Sequence, residues 1–61
     1  MSIRMLAAEF YRVMRQIQEL ERKIEDLPSG SPERDELMWQ LRDLQAEKKR
    51  IKALLEGAKS G

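Results

Sequence analysis

Residues 3–27, IRMLAAEFYRVMRQIQELERKIEDL, carry the pattern that decides the fold. Apolar side chains recur in this stretch at alternating steps of three and four residues. A mean step of about 3.5 residues keeps side chains on one face of an α-helix and is typical of helices that pack on other helices. The stretch therefore predicts a helix over residues 3–27. Its core positions are Ile3, Leu6, Phe10, Val13, Ile17, Leu20, Ile24 and Leu27.

The segment over residues 28–31 interrupts this helical pattern. Pro28 cannot continue the hydrogen-bond ladder and disfavours helical geometry at the residue before it, so it ends the first helix. Ser31 and Pro32 are the residue types that cap and begin helices, and they predict a second helix over residues 32–56. A loop this short normally joins antiparallel neighbours. We therefore expect one domain, residues 1–61, folded as an all-α antiparallel hairpin.

The second helix has an apolar row that matches the first. When the helices fold back on each other, Leu20 is expected beside Leu44 and Val13 beside Ile51. Because glycine is a natural helix terminator, Gly57 predicts the end of the second helix and a frayed tail over residues 57–61. The row consists of Leu37, Leu41, Leu44, Ile51, Leu55 and Ala58.

Lys48 stands in this row where an apolar residue is due. We expect its methylene groups to lie along Ile17, with the ammonium group in water or near Glu21. The alternative is that Lys48 fixes the helix register and the oligomeric state at some cost in stability.

One seam of apolar side chains leaves two sides of the hairpin open. Such a seam buries too little apolar surface to balance the conformational entropy lost on folding, so a partner is required. The simplest partner is a second copy, which predicts a homodimer and an antiparallel four-helix bundle. The predicted dimer interface consists of Leu6, Ala7, Phe10, Tyr11, Met14, Ile51, Leu54 and Leu55.

The charges are divided along the hairpin. Residues 1–16 and 46–61, called here the open end, hold eight basic and three acidic residues, a net charge of +5. Residues 17–45, the loop end, hold four basic and eight acidic residues, a net charge of −4. Two copies with their loops at opposite ends would bring unlike charges together, and we predict that arrangement. Salt should weaken it.

The composition argues against catalysis. The chain has neither cysteine nor histidine, which removes the commonest nucleophile–base pairs and zinc ligands. It also lacks a glycine-rich phosphate loop, so we predict no enzyme activity, no metal and no cofactor. Residues 1–16 are amphipathic enough to suggest a membrane anchor, but the bundle requires the same apolar face. We therefore expect no membrane association and a cytoplasmic protein.

Two surfaces remain as candidates for binding. Trp39 falls on the side of its helix farthest from the seam, which favours contact with another chain. A basic cluster at the open end suggests phosphate binding, although a solvated face is the plainer interpretation. The cluster consists of Arg4, Arg12, Arg15, Lys48, Lys49, Arg50 and Lys52.

In length and layout the chain resembles the Rop family of small dimeric RNA-binding plasmid regulators. The likeness is one of architecture, without a shared motif. The leading prediction is a non-catalytic, homodimeric interaction module for another protein. The resemblance and the basic cluster together imply the alternative, a regulator that binds RNA or DNA through its open end.

Overall fold

A computed structural model of the chain describes the backbone of residues 2–60 and the side chains of residues 2–58. Two α-helices account for nearly all of this part: α1 spans Ile3–Asp26 and α2 spans Pro32–Ser60. The described residues contain no β-strand, and the two helices pack against each other. The predicted all-α hairpin is therefore confirmed.

α1 begins and ends within one residue of its predicted bounds. Ser2 caps it, because the Ser2 Oγ accepts a hydrogen bond from the Met5 N–H at 3.2 Å. At the other end Leu27 leaves the helix with φ −93° and ψ 144°. This extended geometry is the one that a following proline favours, and Pro28 follows. The Leu27 N–H still donates to the Ile24 carbonyl oxygen at 3.2 Å.

A tight turn over residues 28–31 reverses the chain. The Ser31 N–H donates to the Pro28 carbonyl oxygen at 3.2 Å, which closes the turn. Gly30 occupies the third position with φ 88°. A type II turn requires a positive φ at that position, and glycine adopts it without the steric cost that other residues carry. The backbone of Gly30 therefore matches the demand of the turn.

α2 begins as predicted but ends later. The Ser31 Oγ accepts a hydrogen bond from the Arg34 N–H at 3.4 Å, and Pro32 is the first helical residue. The prediction that α2 ends at residue 56 is wrong, because the helix continues through Gly57 to Ser60. Gly57 does not take the positive φ of a terminating glycine. Of the predicted tail, residues 57–60 are helical, and Gly61 lies outside the described residues.

The core is the single seam between the two helices. Five of its six buried side chains belong to α1, and Ile51 is the one contributed by α2. Phe10, Leu41, Leu44 and Leu55 are half-buried against them. No described side chain falls below 2% exposure, so the seam lacks a fully enclosed centre. The buried set is Leu6, Val13, Ile17, Leu20, Ile24 and Ile51.

The register of the two helices agrees with the prediction from their apolar rows. Val13 and Ile51 belong to the same buried cluster, and Leu20 and Leu44 line the same groove. Ile3, the first predicted core position, is exposed, whereas the other predicted core positions of α1 are buried or half-buried. Its side chain is 51% exposed because it lies in the first turn of α1, at the open tip of the hairpin.

The hairpin is a thin rod with a large surface. It measures 46 × 14 × 14 Å, and its radius of gyration is 14.1 Å, against about 10 Å for a compact domain of this length. It exposes 5219 Å². A folded monomer of 7.2 kDa is expected to expose only about 4,100 Å². The excess of exposed area, about 1,100 Å², is larger than the area that one partner buries in a standard protein–protein interface, about 800 Å².

Candidate interaction surface

The two open sides of the seam differ in where their apolar side chains lie. On one side, apolar residues that are exposed or half-buried lie near both tips of the hairpin, with polar residues between them. On that side Met14, Ile17, Gln18 and Glu21 of α1 share a groove with two residues of α2. Residues that are three, four or seven positions apart lie on one face of a helix. This periodicity identifies the other residues on the same side as the groove, toward both tips of the hairpin. We call this side the Met14 face. Its residues are Ala7, Phe10, Met14, Gln18 and Glu21 of α1 and Met38, Leu41, Gln45, Lys48 and Lys52 of α2.

The opposite side of the seam is polar. Its groove is formed by side chains that carry amide or charged groups, with Leu20 and Leu44 below them. We call this side the polar face. Water satisfies such groups without a partner, whereas the apolar groups of the Met14 face gain free energy when they are covered. The residues of the polar face are Gln16, Glu19, Lys23, Gln40 and Asp43.

The structure divides the predicted interface residues between several surfaces. Leu6 and Ile51 are 8% and 6% exposed, so they complete the seam and leave little area for a second copy. Leu54 is 51% exposed but lies eleven residues, about three helical turns, after Asp43, which places it on the polar face. Leu55, half-buried, lies beside the seam.

The remaining predicted residues belong to α1. Phe10 and Met14 are half-buried on the Met14 face, and Ala7 is exposed there. Tyr11 is 68% exposed and lies further round the helix, on the side away from α2. The predicted cluster is therefore not one continuous patch, because Leu54 and Tyr11 lie apart from the others.

The sequence prediction does not include the α2 half of the Met14 face near the loop. Met38 is 45% exposed, and Leu41, three residues later, is half-buried. Their spacing was the available signal, since residues three apart on a helix are neighbours. With them the Met14 face carries apolar side chains at both of its tips.

Lys48 lies on the Met14 face near the middle of the rod. Its side chain is half-buried and lines the same groove as Ile17 and Glu21. This is the position expected of a lysine whose methylene groups cover apolar surface. The ion pairs recorded among the described residues are Arg12–Glu9 and Arg50–Glu47, so Lys48 stays in the groove without a direct contact to Glu21.

The predicted nucleic-acid residues surround the open end and do not form one patch. Arg12 pairs with Glu9, and Arg50 pairs with Glu47 at 3.4 Å. Lys48 lies in the groove of the Met14 face, and Lys49, the next residue, points about 100° away from it around the helix. Arg4 and Arg15 are exposed on the side of α1 away from α2. Lys52, also exposed, belongs to the Met14 face.

Trp39 lies on the outer side of α2, as predicted. It is 64% exposed, and the Arg42 guanidinium lies 5.7 Å from the centroid of its ring. That distance is within the range of a cation–π contact, which holds the indole against the helix surface. A shallow groove beside it is lined by Asp35, Met38, Trp39, Leu41, Arg42 and Gln45.

Together these observations define an all-α helical hairpin whose two open sides both carry apolar and polar side chains. No family model, no curated protein and no solved structure matches the chain. Neither α1 nor α2, over the residues described, has an apolar stretch long enough to cross a membrane.

Proposed function

We propose that the chain is a non-catalytic interaction module that forms a homodimer through its Met14 face. The single observation that carries this proposal is the set of uncovered apolar side chains near both tips of the Met14 face, on a rod that exposes 5219 Å². Burial of apolar surface stabilises an assembly by about 25 cal/mol per Å². The polar face carries the exposed Leu54 near the open end, and charged or amide groups flank the rest of its groove. The partner therefore covers the Met14 face, and the product is a four-helix bundle.

Charge determines the relative direction of the two copies. The open end has a net charge of +5 and the loop end a net charge of −4. With the loops at opposite ends, the open end of each copy covers the loop end of the other. The apolar tip of α1, with Ala7 and Phe10, then lies level with Met38 and Leu41 of the second copy. Both apolar tips are covered in the same arrangement.

A symmetric dimer of this kind has a fixed order of helices. An interface that pairs the same face of two copies has a two-fold axis. For the two loops to lie at opposite ends, this axis must be perpendicular to the long axis of the hairpin. The axis then places α1 beside α1 of the second copy and α2 beside α2. Trp39 remains on the outside of the bundle, where it offers an aromatic contact to a further protein.

The test is the mass of the protein in solution. Light scattering after gel filtration should give twice 7.2 kDa at micromolar concentration, and the dimer should weaken as salt is added. A mass of 7.2 kDa with full helicity by circular dichroism would contradict the proposal. A dimer that becomes tighter with salt would contradict the antiparallel arrangement, since the charges would then repel.

A further inference from the structure

The two helices repeat one pattern along the Met14 face, with charges of opposite sign. At steps of four, three and four residues, α1 carries an apolar side chain, an amide and two acids. At the same steps, α2 carries an apolar side chain, an amide and two bases. Steps of three and four keep the members of each set on one side of their helix. The acidic set is Met14, Gln18, Glu21 and Glu25, and the basic set is Leu41, Gln45, Lys48 and Lys52.

A constant offset in residue number relates the two sets. Leu41 follows Met14 by 27 residues, and Lys48 follows Glu21 by the same number. The amides and the second charged pair have this offset as well. Because both sets run in the same direction along the chain, their members come level with one another only when the two helices are parallel.

Within one chain the two sets do not match, because α1 and α2 are antiparallel. Val13 packs in one cluster with Ile51, which makes Lys48 level with Gln16. Glu21 lies five residues, or about 7.5 Å, further along the axis, and the second acid and second base are about 20 Å apart. Among the described residues no ion pair joins the two sets. The hairpin therefore leaves their opposite charges unpaired.

Between two copies the sets match in only one of the two orientations. With the loops at opposite ends, α1 of one copy runs parallel to α2 of the other, as the matching requires. With the loops at the same end, these two helices run antiparallel and acids fall level with apolar side chains or acids. The groove that Met14, Glu21 and Lys48 line becomes the centre of the bundle, so these side chains face the other copy.

We infer that the two sets are the means by which the Met14 face recognises a second copy of this chain and fixes its register. Glu21 of each copy pairs with Lys48 of the other, and the second acid pairs with the second base. Met14 lies level with Leu41 of the second copy. The inference rests on the proposed function. It adds the partner of each side chain, which the division of net charge along the hairpin does not determine.

The amides occupy the level of the two-fold axis. Gln18 and Gln45 of one chain differ by one residue in level, about 1.5 Å, because Val13 and Ile51 are level. The same two amides are matched between copies, so four of them meet at one level. Each amide both donates and accepts hydrogen bonds, and like groups related by the axis can therefore bond to each other. Charged groups at this level would face their own kind across the axis.

The experiment exchanges the charges of the central pair. Glu21→Lys places the new lysine opposite Lys48 of the other copy, and Lys48→Glu places the new glutamate opposite Glu21. Each variant alone should self-associate at least about tenfold more weakly than the wild type, because both symmetric pairs become repulsive. In an equal mixture of the two variants, each new side chain faces the opposite charge on the other copy. The mixed dimer should recover wild-type affinity within about threefold.

The matched controls are Glu19→Lys and Lys49→Glu. They make the same charge changes at nearly the same levels, but Glu19 lies on the polar face and Lys49 points about 100° away from Lys48 around the helix. Each should weaken self-association by less than about threefold, and their mixture should give mixed and self dimers in statistical proportion. Sedimentation equilibrium gives the Kd values. Native mass spectrometry with one variant labelled with ¹⁵N counts the mixed dimers, and circular dichroism follows helicity.

Rescue in the mixture is the deciding result, since a pair within one chain would not be restored by adding another copy. A variant that loses helicity alone and regains it in the mixture would support the pairing equally. A mixture that associates no more tightly than its components, or equal losses in the controls, would overturn the pairing and leave a dimeric wild type standing. A monomeric wild type would overturn the proposed function and the pairing together.

Discussion

Met14 and Leu54 lie on opposite sides of the seam, although both belong to the open end of the hairpin. Met14 shares its groove with Gln45 and Lys48. Leu54 follows Asp43 by three helical turns and so lies on the polar face. A second copy that covers one of them cannot cover the other in the same flat interface, and this decides which substitutions affect the dimer.

Met14→Glu should dissociate the proposed homodimer, whereas Leu54→Glu should leave it intact. A glutamate at position 14 would bring a carboxylate into the interface with only Lys48 of the same groove as a counter-ion, at a cost of about 2 kcal/mol or more. At position 54 it would stand in water. Sedimentation equilibrium should show at least about a thirtyfold weaker dimer for Met14→Glu, equivalent to about 2 kcal/mol. A larger loss in Leu54→Glu would assign the interface to the polar face.

Alanine substitutions at Gly30 and at Gly57 should change the free energy of unfolding in opposite directions. Gly30 has φ 88°, so Gly30→Ala should destabilise the fold by about 1 kcal/mol through backbone strain. A Cβ at Gly57 meets no atom within 4 Å and the residue is helical, so Gly57→Ala should stabilise by about 0.5–1 kcal/mol. Urea unfolding at a fixed protein concentration measures both, and equal signs would refute this account.

Ile51→Ala should be the most damaging single truncation in α2. Among the described side chains of that helix Ile51 is the one that is buried, at 6% exposure, and its truncation should cost about 2–4 kcal/mol. Leu54→Ala serves as the control, because a side chain that is 51% exposed should cost well under 1 kcal/mol. Thermal unfolding followed by circular dichroism would rank the two, and comparable losses would place Leu54 in a buried contact.

Trp39 should remain exposed to water in the proposed homodimer. The indole lies outside the Met14 face and is 64% exposed, so its emission should stay red-shifted over the whole concentration range of association. A blue shift that follows the dimer mass would instead place Trp39 in the self-interface. Trp39→Ala should leave the dimer constant unchanged within about twofold and reduce binding of a further protein.

The hairpin was predictable because its signals are local. The apolar row of α1, Ser2 and Ser31 as caps, and Pro28 as terminator each act within a few residues, and each is confirmed in position. The end of α2 was not predictable, because a glycine both ends helices and continues them, with only about 1 kcal/mol between the outcomes. The grouping of surface residues was also missed. It depends on the angle of each residue around its helix relative to the seam, as Leu54 and Met38 illustrate.

The start of α1 and the end of α2 lie at the same tip of the hairpin, because the turn at Gly30 reverses the direction of the backbone. In the proposed antiparallel bundle the two pairs of ends are therefore carried to opposite extremities. A domain fused to each copy at this tip would therefore lie at one end of the bundle, and the length of the hairpin, 46 Å, would separate the two fused domains.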